Sequence, residues 1–116
     1  MQRFGIGEME MKMAKLLWDR EGIRSRDVIK LCAEEFGWNK STTFTMLRRL
    51  CDHGLFQNVH SVVTSVMSEE DYLSKVAMDF VEDKFGGSLQ EFVRVVMKKL
   101  EISADEKKEL VRSLSR

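Results

Sequence analysis

The sequence of 116 residues lacks several features that would assign it to a special class: it has no proline, only two cysteines and no net charge. Charged residues interrupt every apolar segment well before the roughly 20 residues that a membrane helix needs, so we expect no membrane contact. The chain also begins without an apolar signal region, and together these absences predict a cytoplasmic protein. A chain of this length forms one domain, or one domain with an appendage, whose core needs no disulfide or metal.

The residue types that carry catalysis or bind metals are sparse. Cys32 and Cys51 are separated by 18 residues and belong to no paired motif, which indicates two reduced structural thiols. Cys51, His53 and His60 offer at most three ligands of irregular spacing, so we predict no metal site. The sequence shows no nucleophile–base pattern and no phosphate-binding glycine loop. We therefore predict a protein that is not an enzyme and has no catalytic residue, cofactor or small-molecule ligand.

The balanced charge hides a small asymmetry between the two halves of the chain. Residues 1–60 hold ten basic and eight acidic side chains, whereas residues 61–116 hold nine and eleven. Any surface that binds a polyanion is therefore expected in the first half.

Glycines and capping residues mark the helix ends in this proline-free chain. Apolar residues at helical spacing predict helices over about 6–18, 26–36 and 40–53, each followed by a glycine. Ser25 and Asn39 are predicted to cap the second and third of these helices, and Ile23 is interpreted as a short link.

Residues 55–67 are rich in valine, which favours strand, and predict a hairpin that turns near His60 and Ser61. Helix-start signatures at Ser68, Ser88 and Ser103 then predict helices over about 69–85, 89–100 and 104–115. Three helices followed by a hairpin is the order of a winged helix-turn-helix. We predict a mainly α fold, with a winged-helix DNA-binding domain over residues 1–67 and helical dimerisation over residues 68–116.

The third helix has the composition of a DNA-recognition helix. Short hydrogen-bonding side chains lie near its N-terminus and arginines follow, which suits contacts with phosphates and base edges of double-stranded DNA. This set comprises Lys40, Ser41, Thr42, Thr45, Arg48 and Arg49. The alternative is an ordinary solvated helix face. Phe44 lies at the boundary of the polar and apolar faces, where it either extends the core or contacts a thymine methyl group.

Apolar stripes in the second half exceed what a three-helix core can cover. They comprise Val76, Phe80, Leu89, Phe92, Val93, Val96 and Leu100. Pairing these stripes about a two-fold axis would give a homodimer that presents two recognition helices to half-sites roughly 34 Å apart. The alternative is that the last three helices close a monomeric domain.

Ordered motifs along nearly the whole chain resemble the penicillinase-repressor family of bacterial regulators. They include Ile6-x-Glu8-x-Glu10, Gly37-Trp38, Ser41-Thr42-x-x-Thr45-Met46-Leu47-x-Arg49-Leu50, Ser68-Glu69-Glu70-Asp71-Tyr72-Leu73 and Phe85-Gly86-Gly87-Ser88-Leu89. The resemblance implies a homodimeric repressor that binds an inverted-repeat operator, and it adds Phe44 to the recognition set.

Three departures from the family pattern bear on function. Residues 56–67 form a wing that is shorter than those of the family and has no Lys or Arg. Few phosphate contacts are therefore expected from the wing. The slope of log K against log salt for DNA binding should be no steeper than about −5. Val95-Val96 stand where the family's cleavage pair would fall, and no cysteine follows Cys51, which argues against proteolytic relief at that site and copper sensing. The neutral wing leaves one alternative function, a winged-helix protein-interaction module that has lost DNA binding.

Overall fold

The computed structural model describes residues 4–115, and this part of the chain contains six helices and three short strands. The helices are α1 (Glu8–Trp18), α2 (Ser25–Phe36), α3 (Lys40–Asp52), α4 (Glu69–Phe85), α5 (Leu89–Lys99) and α6 (Ala104–Leu114). The strands β1 (Ile23–Arg24), β2 (Phe56–Val59) and β3 (Val62–Ser65) form an antiparallel sheet with β3 in the centre. The mainly α winged-helix fold predicted from the sequence is confirmed.

The chain divides into two compact units, one that ends at Asp79 and one that begins at Phe80. The first unit has a core to which α1, α2, α3, the sheet and the first turns of α4 all contribute. The fully or almost fully buried side chains are Met13, Ala14, Leu17, Val28, Cys32, Leu47, Leu50, Leu55, Phe56, Val63 and Tyr72. Because α4 supplies Tyr72 to this core, the unit extends beyond the wing.

Two long-range hydrogen bonds connect α4 and the residue segment before it to α1 and the segment before α1. The Trp18 indole N–H donates to the Met67 carbonyl (2.9 Å), and the Ile6 N–H donates to the Tyr72 hydroxyl (2.8 Å). The Trp18 ring also contacts the rings of Phe56 and Tyr72, with centroids 5.4 and 5.8 Å apart. These contacts place an aromatic cluster between α1, the sheet and α4.

A short turn sets the angle between α2 and α3. Gly37 ends α2 in a left-handed conformation (φ 69°) that costs glycine little, and its N–H donates to the Ala33 carbonyl (3.1 Å). Asn39 then caps α3 as predicted, because its side-chain oxygen accepts from the Thr42 N–H (2.8 Å). The chain thus passes from one helix to the next in three residues.

Two local predictions before α2 are wrong. Ile23 is not a link but the first residue of β1, which pairs with β3 through Ile23 opposite Val63 and Arg24 opposite Val62. Ser25 is not the cap but the first residue of α2, and its N–H donates to the Ser61 carbonyl (2.9 Å). The open edge of β3 therefore recruits the two residues before the helix and moves the N-cap position to Arg24.

Candidate nucleic-acid interface

Helix α3 is held by one buried face, which leaves the other face free to meet a ligand. Thr43, Met46, Leu47 and Leu50 are buried. The fully buried Thr43 hydroxyl donates to the Asn39 carbonyl (3.0 Å), so its polar group is satisfied inside the core. The helix is anchored at its first turn and along its length.

The predicted recognition residues lie on the outer side of α3. Five of them are exposed with no ion pair to another described residue: Lys40, Ser41, Phe44, Thr45 and Arg48. Thr42 is half-buried, and its N–H is engaged by the Asn39 cap. Ser41, Thr45 and Arg48 follow one another at helical spacing and share one face. The structure therefore brings together a hydroxyl, a second hydroxyl and a guanidinium along a single line.

The Thr45 hydroxyl has a defined orientation. It donates to the Ser41 carbonyl one turn earlier (2.9 Å). Since the donor is used within the helix, the oxygen presents its lone pairs outward and acts as an acceptor. Such an acceptor matches the amino groups that adenine and cytosine show in the major groove.

Phe44 does not extend the core. Its side chain is 39% exposed, and Lys40 Nζ lies 5.8 Å from the ring centroid in a cation–π arrangement. The sequence pattern places Phe44 on the boundary between the polar and apolar faces of the helix. In the structure the neighbouring Thr43 is the buried residue instead. The core interpretation of Phe44 is thus corrected by its exposure.

An open concavity of about 400 Å³ lies where α3 meets the wing. It is lined by Phe44, Leu47, Arg48, Cys51 and Asn58. Asn58, exposed on β2, did not emerge from the sequence reasoning, because only the folded hairpin brings it beside Phe44 and Arg48. An asparagine amide is a side chain that reads adenine edges or binds phosphate, so Asn58 joins the candidate site.

Arg49 has a partner within the protein. Its Nη1 lies 3.7 Å from Oε1 of Glu10 on α1, and the Nε2 of His53 lies 3.5 Å from the other oxygen of the same carboxylate. Glu10 is only 5% exposed and also accepts from the Gly7 N–H (3.5 Å). A carboxylate this buried requires compensating donors. Arg49 therefore has an acidic partner on α1, whereas Arg48 forms no ion pair with another described residue.

The wing is short and carries no Lys or Arg. Strands β2 and β3 are joined by His60 and Ser61, both at positive φ (52° and 61°), as a tight hairpin turn requires. The turn lies where the sequence predicted it. Val59 and Val66 are exposed, so the wing presents apolar and uncharged polar groups.

The second unit contains most of the predicted dimerisation residues. Helices α5 and α6 bury none of their residues, and Leu89, Val93, Leu100, Leu110, Val111 and Leu114 are exposed. Phe80, Phe85 and Phe92 form an aromatic cluster with centroids 5.3 to 6.2 Å apart. Val96 is half-buried, whereas Val76 belongs to the first unit and packs against its core.

The family model for penicillinase repressors matches residues 6–116. The chain belongs to the penicillinase repressor family. It is also 28% identical over 114 residues to the penicillinase repressor of Bacillus licheniformis. This alignment covers 94% of this chain and 88% of that protein. The resemblance indicated by the ordered motifs is confirmed, and the family is one of transcriptional repressors rather than enzymes.

The thiols of this penicillinase-repressor family member are poorly reactive. Burial raises the pKa of Cys32 to about 11, although a hydrogen bond with Thr43 opposes the rise. Burial, with a smaller effect of the Asp52 charge, also raises the pKa of Cys51. Both side chains are therefore protonated at neutral pH.

Two further features concern metal binding and membranes. Across residues 4–115, His, Cys, Asp and Glu side chains form no group of three or more that is arranged to hold a metal ion. No helix in this range combines the length and the apolar character needed to cross a bilayer.

Proposed function

We propose that this transcriptional repressor binds an inverted-repeat operator as a homodimer and reads it with α3. The observation that carries the proposal is the outer face of α3, where Ser41, Thr45 and Arg48 are exposed side by side on a helix whose opposite face is buried. The same face is bordered by Phe44 and by Asn58 of the wing. A rigid helix with short polar groups and an arginine is what major-groove readout requires.

Each exposed side chain has a contact that suits its chemistry. Arg48 presents a guanidinium for a guanine edge or a phosphate, and Thr45 presents an acceptor because its hydrogen is donated to the Ser41 carbonyl. Phe44 offers a ring edge for a thymine methyl group. The Arg49 guanidinium is engaged by Glu10, so we assign it to positioning α3 rather than to base contact.

The dimer rests on the exposed apolar side chains of the second unit. Leu89, Val93 and Leu100 are exposed on or just after α5, and α6 adds Leu110, Val111 and Leu114. Large exposed apolar side chains in such number are typical of association sites. A two-fold pairing would supply two copies of α3 for half-sites about 34 Å apart. On this proposal residues 68–116 contain the dimerisation region predicted from the sequence. The same range also contains the first turns of α4, which complete the first unit.

The test is selection from a randomised duplex library at near-physiological salt, followed by sequencing of the bound fraction. We expect an enriched inverted repeat, and we expect Arg48→Ala to lose the base preference at one position of each half-site at a cost of about 1–3 kcal/mol. A matched control is Arg20→Ala, an exposed arginine beyond the end of α1. A folded protein that enriches no sequence would overturn the proposal and favour a protein-interaction module.

A further inference from the structure

A second basic surface lies at the tip of the wing, although the wing itself has no Lys or Arg. Strand β1 pairs with β3, which places Arg24 opposite Val62, and α2 begins one residue later. Arg24, Arg26, His60 and Ser61 thereby line one open concavity of about 450 Å³, together with Ser25 and Val62. Two guanidiniums that are separate from the hairpin in sequence thus meet its turn in space.

We propose that Arg24 and Arg26 bind the phosphate backbone of duplex DNA and replace the basic wing tip that this chain lacks. The inference rests on the proposed function and specifies which residues outside α3 hold the DNA. Both side chains are exposed, and neither forms an ion pair with another residue in the range 4–115. Arginines that hold no internal partner are available to a phosphate, for which the guanidinium fork is well suited.

The surroundings of the two arginines are those of an anion site. Arg24 is the N-cap residue of α2 but makes no side-chain capping bond. The Ser25 N–H donates to the Ser61 carbonyl, and the remaining N–H groups of the first turn are left for an acceptor. His60 adds an imidazole donor at the turn. Asp27, the acidic residue of that first helical turn, does not line the concavity.

The concavity also lies close to the recognition surface. Asn58 lines the groove beside Phe44 and Arg48, and His60, two residues further along the hairpin, lines the groove of Arg24 and Arg26. His60 directly follows the last residue of β2, so it lies at the end of the strand that carries Asn58. The hairpin therefore links a surface suited to bases with a surface suited to backbone.

The salt dependence of DNA binding tests the proposal directly, because each lost phosphate contact flattens the slope of log K against log salt by about 0.9. These contacts would make the slope of the unmodified protein steeper than the limit of about −5 expected from α3 alone. Replacing both residues in Arg24→Gln/Arg26→Gln removes four contacts per dimer, so we expect the slope to become shallower by about 3.6. The change should be the same on the selected operator and on a duplex of random sequence, because phosphate contacts carry no base information.

Two matched variants complete the experiment. Arg24→Lys/Arg26→Lys keeps both charges and should keep most of the slope, whereas Lys107→Gln/Lys108→Gln removes the same charge from α6 and should change it by less than about 1. Thermal unfolding of every variant checks that the fold is retained. An unchanged slope in Arg24→Gln/Arg26→Gln, or an equal change in the α6 variant, overturns this inference alone. Failure of the unmodified protein to bind any duplex overturns it together with the proposed function.

Discussion

The two units of the chain use the same local signals and reach different degrees of burial. Helices α3 and α5 both begin at a capping side chain, Asn39 and Ser88, and both carry apolar residues at helical spacing. Yet α3 buries four side chains, whereas α5 and α6 bury none. An amphipathic pattern therefore specifies a helix but not what covers it. The first unit covers its apolar residues within one chain, whereas the second leaves many of its apolar side chains exposed.

The largest expected difference between the units comes from one substitution made in each. Leu50→Ala removes a fully buried side chain from α3 and should lower the free energy of unfolding by about 2–5 kcal/mol. Leu89→Ala removes a side chain that is 64% exposed on α5 and should cost less than about 0.5 kcal/mol in dilute, monomeric protein. Urea unfolding followed by circular dichroism measures both. Equal costs would contradict the contrast between the units.

Charged groups on α5 should separate association from folding. Leu89→Glu/Val93→Glu changes two exposed side chains and is expected to yield a monomer and to lower operator affinity by about 100-fold or more, because the second half-site no longer binds within the same complex. Arg94→Glu changes the charge equally at an exposed position of the same helix and should leave the dimer intact. Sedimentation velocity and operator titration give the two readouts. A dimer that persists in the double variant rules out this interface.

Alkaline pH should weaken the first unit specifically, because both cysteines lie there. Burial raises the pKa of Cys32 from 9.0 to about 11, so the folded state holds the proton more tightly than the unfolded chain. This contribution is complete below pH 9 and is lost as pH rises through about 11, with a total on the order of 3 kcal/mol. The measurement is the free energy of unfolding against pH for the unmodified protein and for Cys32→Ala, in which the additional decline should vanish.

Two adjacent arginines on α3 should differ in their effect on stability. Arg49→Ala leaves the buried Glu10 carboxylate with one cationic partner fewer and should cost about 1–2 kcal/mol, a modest figure because the guanidinium is partly solvated. Arg48→Ala, which breaks no ion pair among the described residues, should stay within about 0.5 kcal/mol. In a double-mutant cycle, adding Glu10→Gln to Arg49→Ala should recover part of the loss. Equal effects of the two single variants would show that Glu10 does not depend on Arg49.

Most of the fold could be predicted from the sequence because its signals are local. Glycines after the first three helices, side-chain caps and valine-rich strands report on nearby backbone, and the elements found at α3, β2, β3 and α4 follow them. Strand β1 could not be predicted in this way. Two residues have no periodicity, and Ile23 and Arg24 become a strand only because β3, 40 residues away, has an open edge.

The candidate site could be predicted less completely, for a similar reason. Helical spacing placed Ser41, Thr45 and Arg48 on one face, and the structure agrees that they are exposed. Helical spacing gave no information on contacts with residues that are distant in sequence. Glu10 on α1 forms an ion pair with Arg49 on α3. Asn58 and Arg24 are placed in the region of the site only by the pairing of the strands. Their roles in DNA binding remain predictions.

The pairing of Ile23 with Val63 has a consequence for the order of folding. It closes a loop of about 40 residues that contains all of α2 and α3 and holds it with two strand residues. Contacts so distant in sequence cannot offset their loop-closure entropy until the intervening segment is compact. We therefore expect the helices to form before β1 joins the sheet. The arginines at the wing tip should then be the last part of the surface to reach their native positions.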